Sequence, residues 1–301
     1  MLDGRNRNEL DLLIEGARCW DGCVEDEGDS DISDIEHIWS DTEWWASEEI
    51  TYPEDEAVET DGVKYVEAVT IPSTWNLLYD CAVNQDIEYG TITILGRLRF
   101  DPEAKCDSLS LKAHNIFVQG GEFLIQGRDD DDGVPTEYHI PVTITLLGGK
   151  EDYQITTNTE VDTGNKNIIV GGKTSMYGKS RSLYMTRLTR EVEPGDDHIC
   201  VGEVGDWVAG DELGIAPTRM DPLERDWGVI TSITEPGETD CAFKVNFDDS
   251  DDTTEEKMSY YHFGSTIEDW SDHLDIDMRG EVFLLSRSIK IVGEDEETWG
   301  G

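Results

Sequence analysis

Residues 108–127 read SLSLKAHNIFVQGGEFLIQG, and the stretch before them, residues 91–100, reads TITILGRLRF. Both are short β-rich runs with almost no helical periodicity, which read as strands. Each is broken by glycine, at Gly96 in one and at Gly120 and Gly121 in the other. Glycine between two short β-rich runs marks a bend. Each stretch therefore predicts two strands meeting at a corner, and the corner recurs.

The same punctuation runs outward in both directions. Toward the N-terminus, residues 66–71 and 74–80 (TWNLLYD) read as strands. Toward the C-terminus come 141–149 (PVTITLLGG), 167–178 (NIIVGGKTSMYG) and 182–188 (SLYMTRL). Residues 191–201 and 206–218 continue the series, and 227–233 and 241–247 form a pair joined by PGET. The last block, 277–297 (DMRGEVFLLSRSIKIVGEDEE), holds two strands. The expected fold class is all-β. Few hairpin signals separate the strands, so the phrases resemble coils of a parallel β-solenoid, each burying apolar residues inward and turning on glycine. A β-sandwich gives similar strands, and composition does not separate the two. One short helix is expected over residues 8–17, where Leu10, Leu12, Leu13 and Ile14 give a partial apolar face.

Composition narrows the function. The 301 residues carry 68 Asp and Glu against 23 Lys and Arg, a formal charge of −45, with only ten lysines. Such a chain lacks the basic footprint of a nucleic-acid binder and is repelled by anionic membranes. No apolar run reaches the ~20 residues of a membrane span. Aromatic residues make up 9% of the chain and the charge is spread along its length, which excludes disorder as its cause. A folded surface saturated with carboxylates repels itself until salt screens it. The reading is a protein from a high-salt environment; the rival is a surface loaded with calcium or other cations. Asp129, Asp130, Asp131 and Asp132 before Gly133, and the acids at 248–252, are the places for such ions. Counting back from Gly133 by twos meets Asp132, Asp130 and then Arg128, which breaks an EF-hand pattern. Solvated loop tips are the simpler reading, and no cofactor is expected.

Cys19, Cys23, Cys81, Cys106, Cys200 and Cys241 allow fifteen pairings. Candidate disulfides are Cys81–Cys106 and Cys200–Cys241 for a protein working outside the cell, with free buried thiols the alternative. No CxxC pair favours zinc. The six histidines show no HExxH or other ligand spacing, and no phosphate-binding loop is present. Trp44, Trp45 and Trp75 are candidates for a sugar-stacking platform; a plug packed on the next domain is the commoner arrangement for such a cluster. The opening residues MLDGRNRNEL lack the apolar core of a signal peptide.

Several phrases, in shared order, resemble the G-eight domain, named for its eight glycines: VTIPSTWNLLYD, ITILGRLRFD, LKAHNIFVQGGEFLIQG, VTITLLGG and IIVGGKTSMYGK. TRLTREVEPGDDHICV, DWVAGDELGIAPT and DMRGEVFLLSRSIKIVGED extend the likeness over about residues 62–297. That family includes cell-surface hyaluronidases, hyaluronan-binding proteins and fibrocystin-like proteins. The resemblance implies a β-rich extracellular module entering a right-handed parallel β-helix at residues 277–297. It also implies a division into an acidic, tryptophan-bearing segment (1–60), a G-eight-type domain (61–190) and further strands with the first β-helix coils (191–301). In the hyaluronidases an arginine follows the strand that here ends in LLGGKED. Gly149 stands in its place with Lys150 beside it, and Met185 replaces a family tryptophan.

Polysaccharide cleavage would need paired carboxylates or an arginine with a base. The candidates in family-like strands are Arg279, Glu281 and Asp211, for which structural ion pairs are the alternative. The Gly149 departure and the short run of coils favour a non-enzymatic structural module of an external surface or a virion, such as a turret, spike or tail component, engaging copies of itself, other surface proteins or glycans. A leaderless chain fits the virion reading. The alternatives are a hyaluronidase-like enzyme and a lectin-like adhesin. Self-association is expected through an open strand edge at residues 289–292.

Overall fold

The computed structural model describes residues 32–60, 62–149, 166–235, 237, 241–249, 258–264 and 277–294, together with the backbone of 13–15. These residues are almost wholly β. Two compact units are present: residues Ser180–Ser286 form one, and the described residues 13–179 and 287–294 form the other.

The unit built on 13–179 contains two sheets of mostly parallel strands, and the chain alternates between them. One sheet holds β4 (Val63–Ile71), β6 (Glu88–Ile94), β8 (Leu109–Val118), β10 (Val142–Leu146) and β11 (Asn167–Val170). The other holds β2 (Glu36–Ile38), β5 (Asn76–Tyr79), β7 (Arg97–Phe100), β9 (Glu122–Ile125) and β12 (Lys173–Met176). The parallel registers stack like on like. Val69 lies beside Ile92, Ile92 beside Ile116, and Ile116 beside Ile168. In the second sheet Leu77, Leu98 and Phe123 form a matching row. These rows are the core, and each buried aliphatic side chain contributes about 1.5–3 kcal/mol. An antiparallel sandwich is excluded for this unit by the parallel ladders.

The glycines at the corners explain the punctuation. A Cβ on Gly96 would lie 2.2 Å from the Pro72 carbonyl oxygen, one on Gly121 2.2 Å from that of Gly96, and one on Gly172 2.3 Å from that of Gly121. Each corner thus rests on the backbone of the one before, and only glycine fits. Hydrogen bonds lock the stack there: Glu122 N–H donates to Gly96 O at 2.8 Å and Lys173 N–H to Gly121 O at 2.9 Å.

The edges are covered differently. The antiparallel strand β3 (Val58–Thr60) flanks β4, and β1 (Leu13–Glu15) runs antiparallel to β12. Residues 13–15 are therefore strand, a correction to the helix expected over 8–17; the other residues of that stretch lie outside those described. Nor do the described residues 32–60 stand apart from the parallel unit. β2 pairs with β5, and α1 (Thr42–Ser47), N-capped by the Asp41 side chain, sets Trp45 into the same core as Trp39. The final strand β19 (Ile289–Gly293) returns to pair parallel with β10.

The Ser180–Ser286 unit is one antiparallel sheet in the order β13 (Met185–Arg187), β18 (Glu281–Leu284), β15 (Glu212–Ile215), β16 (Asp226–Thr234), β17 (Phe243–Asp249), β14 (His198–Val201). Its core includes Leu188, Ile199, Val201, Leu213, Val245, Met258 and Val282. Here the expected order changes. The boundary drawn at 190/191 falls at 179/180, and the block 277–297 is divided between the two units at 286/287. Its two strands separate: β18 joins the antiparallel sheet, while β19 adds to the parallel one.

Candidate functional site

Of the acids and arginines that sequence singled out, Glu281 opens β18 of the antiparallel sheet and Arg279 lies two residues before it. Arg187 and Glu281 are directly opposed across β13 and β18, and Met185 opposes Phe283 on the same face. Beyond the strand ends, residues 216–220 and 277–281 enclose a recess of about 450 Å³, lined by Arg187, Arg219, Met220, Asp277, Arg279 and Glu281 among others. Besides Arg219, its charged side chains Asp277, Arg279 and Arg187 are tied to one another, and Arg187 bridges to the fourth, Glu281. Arg279 Nε and Nη2 donate to the two Asp277 carboxylate oxygens at 2.9 and 2.7 Å. Arg187 Nη2 donates to Glu281 Oε1 at 2.9 Å, and Arg187 Nη1 donates to the carbonyls of Asp277 and Arg279. The Arg279 guanidinium holds the Asp277 carboxyl below its ordinary range, so Asp277 carries no proton to donate near neutrality.

Asp211 stands elsewhere, clamped by Arg181. Nη1 and Nη2 donate to its two oxygens at 3.0 and 2.7 Å, and Val208 N–H adds a third bond at 2.9 Å. Burial pushes the Asp211 carboxyl up, but these donors prevail and hold it below the ordinary value. The structure thus brings Arg279 and Glu281 to one recess, leaves Asp211 outside it, and gives all three an ion-pair partner.

The candidate rings of Trp44, Trp45 and Trp75 pack into or against the core and form no exposed row. Trp45 is 1% exposed and Trp75 7%; Trp44 is partly buried, stacked on His37 at 4.2 Å and against Trp75 at 4.4 Å. Trp45 Nε1 donates to Trp39 O at 2.8 Å, which ties the cluster to the edge of the parallel stack. The candidate cation loop is an exposed turn. Asp130 Oδ1 accepts from the backbone of Asp132 and Val134, Asp129 accepts from Gln126, and Asp131 and Asp132 point to solvent-exposed surface. Among the described residues no group of three or more acids, histidines or cysteines converges as a metal site. Of the 248–252 acids, Asp251 and Asp252 lie outside the described residues. Cys81 is bonded to Cys106 and Cys200 to Cys241, while Cys19 and Cys23 lie outside the described residues.

Two arrangements escaped sequence reasoning. His262 is fully buried, with Nε2 2.8 Å from Asp226 Oδ2 and Nδ1 3.1 Å from Ala216 O. Asp226 also accepts the backbone N–H groups of Ser259 and Tyr260. The pair is sealed from solvent, so it positions the chain near the recess and meets no substrate. Separately, Arg219 lies 4.9 Å over the Tyr261 ring and Arg225 5.1 Å over the Trp227 ring. Local sequence offers no signal for a pairing of 219 with 261; RDW at 225–227 could have suggested the second.

The fold and site define a class: an all-β protein of stacked parallel strands and an antiparallel sheet, in which each candidate acid is tied to an arginine. Residues 62–189 match the model of the G8 domain. It is similar to fibrocystin-L of Homo sapiens, 23% identical over 268 residues, covering 87% of this chain and 6% of the relative. It is similar also to fibrocystin-L of Mus musculus, 27% identical over 206 residues, covering 68% of this chain and 4% of the relative. The chain therefore spans less than a tenth of the length of these curated relatives. The match begins just before β4 and ends after β13, so it contains the Gly96, Gly121 and Gly172 corners.

Proposed function

We propose that this chain is a non-enzymatic structural and interaction module of an external surface, cellular or viral, working in high salt. The observation that carries the reading is the state of the candidate acids: Asp211 and Glu281 are each held by an arginine, and so is Asp277. Asp211 and Asp277, held below the ordinary carboxylate range by their donors, carry no proton to deliver near neutrality. The alternation of parallel strands between two sheets supports a right-handed parallel β-helix as the scaffold. Two disulfides fit an oxidising setting outside the cytosol. Among the described residues no helix is long and apolar enough to cross a membrane. The surplus of acids supports function at salt concentrations that screen it.

The second reading is polysaccharide cleavage at the Arg279–Glu281 recess, favoured by the opening of that recess to solvent. One assay separates the two. Polysaccharides including hyaluronan are incubated with the protein in high salt, and their length is measured. Unchanged length is expected. Shortening that disappears in Arg279→Gln or Glu281→Gln would replace the structural reading with the enzymatic one.

A further inference from the structure

Most arginines among the described residues sit against carboxylates. Arg97, Arg99, Arg128, Arg181, Arg187 and Arg279 each have one within 4.0 Å. Arg219 and Arg225 differ: each is exposed and lies over an aromatic ring, with no carboxylate within 4.0 Å among the described residues. In a chain with 68 acids, these two ring-seated arginines stand apart from the ion-paired ones. Stacking holds each guanidinium in place with its donors outward. Between them the loop presents Met220, 101% exposed, and Leu223, 67% exposed. Trp227 and Val229 continue this surface along β16, at 41% and 37%. Exposed methionine, leucine, tryptophan and arginine together match the core of a protein interface. They do not match a solvated face, least of all on a molecule this acidic.

We infer that residues 219–229 dock the acidic loop 129–134 of a second copy of this chain. Charge complementarity selects the occupant. That loop presents Asp130, Asp131 and Asp132 to solvent, followed by Val134 at 55% exposure. Carboxylates for the two guanidiniums and one apolar side chain for the Met220–Leu223 surface are therefore carried in one turn. The contact joins two different patches, so it propagates head to tail and builds oligomers beyond a dimer unless the rotation closes a ring. The inference rests on the reading of the chain as an interaction module, and it places self-association on a surface separate from the β19 edge.

The test is sedimentation velocity over a concentration series at about 1 M salt, where the fold is expected to hold and the Debye length of ~3 Å screens the net repulsion, leaving the pairs in direct contact. The variants are Arg219→Glu with Arg225→Glu, and Asp131→Lys with Asp132→Lys; Asp130 is kept because it builds the turn. All four positions are exposed, and unchanged circular dichroism checks the fold. The wild type is expected to associate with concentration. Each variant alone is expected to weaken association at least ~10-fold, and an equal mixture of the two to restore it. The two variants shift net charge by four in opposite directions, so a general charge effect cannot weaken both. A wild type that stays monomeric, association untouched by either variant, or a mixture that fails to associate overturns the inference. So does a monomer that retains hyaluronan through Arg219 and Arg225, which would give the patch to a glycan. None of these outcomes involves cleavage, so the structural reading is judged separately.

Discussion

Replacing Gly121 with alanine tests whether the corner stack holds the parallel unit together. The new Cβ would sit 2.2 Å from Gly96 O, 2.7 Å from Ile94 O and 2.8 Å from Leu95 C, all backbone atoms. Relief to an ordinary 3.4 Å contact requires a movement of about 1.2 Å between adjacent strands. That movement stretches the Glu122 N–H to Gly96 O bond from 2.8 Å to about 4 Å and breaks it. Overpacking costs about 1–3 kcal/mol and a lost ladder bond about 1, so the sum is about 2–4 kcal/mol. The neighbouring Gly120→Ala is the control. Its Cβ would meet nothing within 4 Å, and its cost is only that of a left-handed backbone at φ +76°, about 1–2 kcal/mol. Hydrogen exchange with mass spectrometry reads the effect locally. Peptides covering β9 and β12 should exchange roughly 30- to 700-fold faster in Gly121→Ala. Exchange within twofold of wild type, or a larger effect from Gly120→Ala, would refute the stacking argument.

Four further outcomes follow from the same structure. Opening Cys81–Cys106 or Cys200–Cys241, which close 25 and 41 residues of chain, should lower stability by about 3–4 kcal/mol each; equal urea midpoints with and without reductant would contradict this. Asp226→Ala strips the buried His262 of its partner and should cost about 3–5 kcal/mol in thermal or chemical unfolding, with the loss seen first as exchange of Ser259 and Tyr260 amides. Arg128 hydrogen bonding holds the Glu36 carboxyl low, and Arg279 does the same for Asp277. Their stabilisation is complete above the ordinary carboxylate range of about pH 4 and lost as pH falls through the lowered folded values. In about 1 M salt, where general repulsion is screened, stability should therefore fall on acidification, and Arg279→Gln should flatten part of that fall. Dialysis to low salt should erase the β circular dichroism if 45 net charges set the salt requirement; an unchanged spectrum would remove the high-salt reading.

Strands were legible in this sequence wherever glycine broke a β-branched run. The bend at Gly96 separates β6 from β7, and Gly120 with Gly121 separates β8 from β9, where β-rich runs and punctuation place them. The pairing of 227–233 with 241–247 was legible too, because a short polar link leaves antiparallel neighbours as the simple solution. What periodicity could not carry was partnership at long range. β18 and β19 are four residues apart and alike in pattern, yet one is antiparallel to β15 and the other parallel to β10. Burial of Trp45 and Trp75 was equally hidden, since an exposed platform and a plug use the same residues. At the candidate site, arginine beside acid was readable, but Arg187 reaching Glu281 across 94 positions was not. The aromatic seats of Arg219 and Arg225 depend on ring orientation, which no spacing encodes.

The return of β19 has a consequence for the order in which the molecule assembles. Neighbouring parallel strands pair across short intervals, as Tyr89 does with Ala113, 24 positions on. Val142 pairs with Ile289, 147 positions on, because the antiparallel unit lies between. Closing that longer loop as an unstructured chain would cost about 1.6 kcal/mol more. A unit already folded, with its ends brought together, removes most of that penalty. Lys179 N–H donates to Ser288 Oγ at 2.8 Å, so the two ends of the excursion do meet. The kinetically sensible sequence is that residues 63–176 stack as they emerge, the excursion collapses on its own, and β19 then zips on last. The late step is thus gated by the maturation of a neighbouring unit, and damage to that unit's core would be felt as slow completion of the stack.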